Sequence, residues 1–108
     1  MSWQTMYMVR RTHGSAWDPA RHTREQDLWT EHADFMDALF DGGSIVLAGP
    51  LADDSAALTV MTGQSAGQVR RVLDEDPWTI HDILRADDIT EWTIYMDGRT
   101  RQPSLRSG

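Results

Sequence analysis

His32 interrupts the apolar face of an amphipathic segment with a side chain suited to moving a proton near neutral pH. At about 100° per residue along 27–43 (DLWTEHADFMDALFDGG), Leu28, Trp29, Phe35, Met36, Leu39 and Phe40 share one side. Glu31, Asp34, Asp37 and Asp41 share the other, and His32 projects near the centre of the apolar arc. An imidazole there needs a hydrogen-bond partner. Either it is a satisfied core histidine, or it opens into a pocket as a general acid or base. Asp76 is a candidate partner, because a helix exit and Pro77 fix its position. The remaining acidic clusters, such as Asp53-Asp54 and Asp87-Asp88, read as solvated turns.

Other motifs resolve more simply. Gly63-Gln64-Ser65-Ala66-Gly67 matches the G-x-S-x-G nucleophile elbow, but that elbow belongs to a longer chain with its acid and histidine following the serine. Only His81 follows Ser65, sixteen residues on, and Ser65 with Gln68 satisfies the helix capping box instead. No two of His13, His22, His32 and His81 stand three or four residues apart, so no metal site is expected. Phosphate cradles of the G-x-G-x-x-G or Walker type are missing, and no nucleotide cofactor is expected.

Composition narrows the chemistry further. The chain lacks cysteine, which excludes disulfides and thiolate catalysis, and all 10 basic residues are arginine, which excludes a lysine Schiff base. A formal charge of −7 argues against nucleic-acid binding. No membrane-length apolar run or signal-peptide pattern is present, so a cytoplasmic protein that does not engage membranes is expected. The five tryptophans read as core and interface mass, with one or two lining a pocket for a flat ligand.

The elements that must position these groups follow from periodicity. Residues 4–11 alternate as a strand, and 12–27 form a loop ending in a capping box, Thr23-Arg24-Glu25-Gln26, where the first helix can begin. Asp41-Gly42-Gly43 closes that helix. The continuous apolar run 44–50 predicts a strand buried on both faces, and 56–63 a third strand. A helix over 65–76, an irregular stretch and a last strand over 89–96 complete the chain. The order β-α-β-β-α-β in 108 residues predicts an α+β, ferredoxin-like sandwich, two helices on one face of an antiparallel sheet. No third layer remains for the other face, so a homodimer joined through the sheets is expected. Residues 1–97 form the single domain, and 98–108, with Arg99, Arg101 and Arg106 and no acid, read as a flexible basic tail.

The segment 31–51 (EHADFMDALFDGGSIVLAGPL) resembles the YciI-like (YCII-related) domain family, particularly its actinobacterial type. Further matches are Trp17-Asp18-Pro19, Arg24-Glu25-Gln26-Asp27, Glu75-Asp76-Pro77-Trp78 and Trp92-Thr93-Ile94, in order over most of 5–97. The resemblance implies a dimeric α/β-barrel type of association and a cleft centred on a histidine–aspartate pair, here His32 and Asp76. It also implies cofactor-free lyases, such as dehydrochlorinases, or small enzymes of biosynthetic and degradative pathways. The chain departs from the family pattern at Ser44, at Glu91 and at 79–82, where His81 adds a titratable group near the presumed cleft.

Together these readings predict a cofactor-free lyase, isomerase or cyclase acting on a small, aromatic or carbonyl-containing metabolite. In that reading His32 is the acid–base group and Asp76 orients it. Arg24 holds an anionic group or oxyanion, and His13, Trp17 and Trp78 wall the pocket. The alternative is a non-catalytic dimeric module that binds a small molecule or protein.

Overall fold

The computed structural model describes residues 3–100; Met1, Ser2 and the tail reading from residue 101 onward lie outside the described residues. Strand β1 spans Gln4–His13, followed by a 3-10 turn at Thr23–Glu25 and helix α1 at Trp29–Asp41. Strands β2 (Ile45–Pro50) and β3 (Ala56–Met61) form a hairpin. Helix α2 (Ala66–Leu73), the short helix α3 (Pro77–Ile80) and strand β4 (Leu84–Ile94) follow. The sheet order is β2-β3-β1-β4 with antiparallel neighbours, compatible with a ferredoxin-like α+β fold.

Alternation in β1 decides which side chains meet the helices. Tyr7 and Val9 point inward opposite Met61 and Thr59, and pack with Ile45, Val69 and Leu73 into the main core. Each such side chain contributes roughly 1.5–3 kcal/mol by leaving water. Arg11 continues the same inward row. On the opposite face Met6, Val60 and Ile94 form a second apolar cluster, with Leu47, Trp92 and Met96 exposed around it.

Several expectations are corrected. The run 44–50 is an edge strand rather than one buried on both faces; beyond Ile45 and Val46 its residues are exposed, because only β3 pairs with it. Phe40 is 63% exposed, since it lies beside that edge with no further strand to cover its ring. The 77–88 stretch is more ordered than its pattern: Pro77 opens α3, and β4 begins at Leu84. Ser65 does cap α2, its hydroxyl accepting the Gln68 N–H at 3.0 Å.

The capping box at 23–26 does not form, and helix α1 starts later. Leu28 sits in the left-handed region (φ 61°) and breaks the chain between the 3-10 turn and α1. Gln26 turns inward instead. Its amide accepts from the Asp18 N–H at 2.9 Å and donates to the carbonyls of Asp18 and Arg21 at 2.7 and 3.0 Å. A nearly buried glutamine thus organises the 14–27 loop from inside. Gly14 lets that loop cross the α3–β4 turn: its N–H donates to the Ile83 carbonyl at 2.9 Å, and a Cβ there would lie 2.1 Å from the Asp82 carbonyl oxygen.

Candidate active site

The fold brings His32 and Asp76 together. The imidazole Nδ1 lies 2.9 and 2.8 Å from the two carboxylate oxygens of Asp76. Asp76 is the N-cap of α3, and its Oδ1 also accepts the Trp78 N–H at 3.0 Å. Oδ2 receives the Arg11 Nη1 at 2.8 Å, and Arg11 Nη2 donates to the Thr79 hydroxyl at 2.7 Å. All three charged or titratable side chains are buried.

Electrostatics follow from that enclosure. Burial pushes the Asp76 carboxyl upward, but the His32 hydrogen bond and charge, with the Arg11 charge and hydrogen bond, outweigh it and hold the carboxyl below the usual range. Asp76 therefore stays an acceptor. Nδ1 must carry the proton, and in the neutral ring the lone pair lies on Nε2. Nε2 has no hydrogen-bond partner and is not an enclosed atom among the described residues, while His32 lines an open cavity.

That cavity has a volume of about 220 Å³. One wall is aromatic. Trp78 stacks flat on His32 with ring centroids 3.9 Å apart and planes 5° from parallel, and Trp17 meets Trp78 edge-on at 5.8 Å. His13, at the inner end of β1, stacks on Trp17 at 3.8 Å. The Trp78 indole N–H is anchored on the Asp27 carbonyl at 2.7 Å, which fixes the plane against which the imidazole rests. Small residues of the β2–β3 hairpin, including Ala48, Gly49 and Ala57, also line it.

Of the residues expected from sequence, His13, Trp17, His32 and Trp78 line the cavity, and Asp76 stands directly behind His32. Arg24 is not brought there: it is exposed on the 3-10 turn, and its neighbour Thr23 reaches the cavity instead. His81 caps the end of α3, exposed and away from the lining. Arg11 and Trp29 are the additions. A signal for Arg11 was present, because residues 7, 9 and 11 share the inward parity of β1 and an arginine on a core face demands a buried anion.

No protein-family model, curated protein or solved structure matches the chain. Among the described residues no cluster of histidine and carboxylate side chains could hold a metal ion, and no helix is long and apolar enough to cross a membrane.

Proposed function

We propose that this chain is a YciI-like, cofactor-independent cytoplasmic enzyme, dimeric through its sheets, in which His32 is the proton-transfer group. The observation that carries the reading is the held imidazole: Nδ1 bound to buried Asp76, Nε2 without a partner, in a ring that lines an aromatic-walled cavity. Nε2 takes a proton from a C–H beside a carbonyl or from a phenol O–H. The substrate keeps the electron pair as an enolate or phenolate, and the ring becomes imidazolium. Asp76 pairs with that cation, and the face of Trp78 stabilises it further. Return of the proton at another atom gives isomerisation, and loss of a leaving group from the anion gives elimination.

Arg11 acts one step back. It holds Asp76 in place and ionised, so the carboxylate is ready before the imidazolium forms. General acid–base catalysis supplies on the order of a hundred- to ten-thousand-fold in rate, and binding in the cavity supplies the rest by orientation.

A panel of aryl ketones in deuterated buffer tests the reading without knowledge of the product. The protein accelerates C–H exchange, and His32→Gln, folded by circular dichroism, lowers that exchange on the order of a hundredfold. Undiminished exchange in the variant rejects His32 as the base. No exchange above buffer with any ketone favours the non-catalytic binding module.

A further inference from the structure

Building on His32 as the acid–base group, we infer that the cavity takes an uncharged, planar aromatic ligand with an acidic C–H or O–H, and that Asp54 turns anionic analogues away. The walls set the shape. Trp17 and Trp29 are half-buried at the lining, Trp78 backs the imidazole from within the core, and alanine and glycine of the hairpin complete an apolar lining suited to a flat ring.

The charges set the preference. Arg11 is the sole arginine among the described residues lining the cavity, and it is already committed. Its Nη1 is on Asp76 and its Nη2 on Thr79; its Nε–H has no partner but is enclosed, so it offers no exposed donor to a ligand. The Arg11–Asp76 pair is neutral as a unit. An anionic ligand entering this slot would lose water and find no free guanidinium to replace it.

Asp54 adds repulsion at the mouth. It lies at the tip of the β2–β3 hairpin in the left-handed region (φ 58°), its N–H bonded to the Leu51 carbonyl at 2.9 Å. Its carboxylate takes part in no hydrogen bond or ion pair among the described residues, yet the residue lines the cavity. A neutral substrate avoids this field. Its negative charge arises only when His32 takes the proton, and the new imidazolium then lies beside it. Arg24, exposed on the 3-10 turn, is not required as an anion clamp.

Acetophenone and benzoate, near-isosteres differing in charge, test the inference at about pH 8, above the range where free imidazole is protonated. Binding is followed by tryptophan fluorescence and by the side-chain signals of nitrogen-15-labelled histidine. Acetophenone saturates the site at a concentration on the order of tenfold below benzoate. Asp54→Asn keeps the left-handed geometry, tightens benzoate severalfold and leaves acetophenone unchanged. Equal or tighter binding of benzoate by the unaltered protein, failure of both ligands to bind, or an unchanged gap in Asp54→Asn overturns the inference. The exchange assay reads His32 separately, so a benzoate preference with His32-dependent exchange rejects only the charge selectivity. An acetophenone preference with His32-independent exchange rejects only the acid–base reading.

Discussion

Arg11 on β1 holds Asp76 at the head of α3 across 65 residues of chain, Nη1 to Oδ2 at 2.8 Å. Neither side chain is more than 1% exposed. The bond joins the sheet to the helix layer at the point where His32 rests, so the polar centre of the cavity is also a tie of the fold. Burying one of these charges without the other is costly.

Removing either partner therefore destabilises the protein. Arg11→Met and Asp76→Asn each cost about 3–5 kcal/mol, because each leaves its partner buried without its counter-charge. The double variant loses clearly less than the sum of the two, since neither charge of the pair remains to be left uncompensated. Urea unfolding of the four proteins measures the cycle. Additive losses would mean that the two side chains act independently.

Stability falls on the acid side through Asp76. Its folded carboxyl is held below the unfolded value, so its contribution is complete above the ordinary aspartate pKa of about 3.9 and is lost as pH falls through the folded one. The urea midpoint should drop as pH is lowered from about 5 to 3, and Asp76→Asn should flatten that dependence. An equal slope in the variant would assign the acid sensitivity to other carboxylates.

The loop that carries Trp17 depends on one buried amide. Gln26→Ala leaves the Asp18 N–H and the Arg21 carbonyl without their partner, while the Asp18 carbonyl keeps the Arg21 N–H, and costs about 1–3 kcal/mol. Local loss precedes global loss: the Asp18 amide exchanges faster, and proteases cut within 14–27 while the sheet stays protected. Hydrogen exchange by mass spectrometry reads both, and uniform protection in the variant would contradict the role.

Dimerisation is tested on the outer sheet face. Trp92 and Met96, 46% and 61% exposed, border the buried Met6, Val60 and Ile94, and Leu47 extends the patch on β2. The unaltered protein should sediment as a dimer, and Trp92→Glu as a folded monomer, because a charge would be buried in the interface. A monomeric unaltered protein at high concentration removes the sheet-to-sheet dimer.

Much of the arrangement is legible in the sequence. The alternation of β1 and the Ser65 cap of α2 are local properties of neighbouring residues and appear where their patterns put them; the four strands and two main helices follow in the expected order, with the 3-10 turn and α3 added and β4 starting earlier, at Leu84. His32 is conspicuous because an imidazole replaces an apolar residue at a helical period; it is the one buried residue of α1. Gln26 and Leu28 misled for the opposite reason. The letters of a capping box were present, but tertiary hydrogen bonds to Asp18 and Arg21 took the glutamine, and a left-handed leucine delayed the helix.

By itself the sequence determined which residue was anomalous, which elements surround it, and which chemistries composition excludes. These follow from side-chain period and residue type. Tertiary structure decided the partners: that Asp76 lies behind Nδ1, that Arg11 rather than Arg24 is the buried guanidinium at the cavity, and that Trp78 covers the imidazole face. Such pairings join residues tens of positions apart. Their distances are set by how the sheet and helices pack, which no local periodicity encodes.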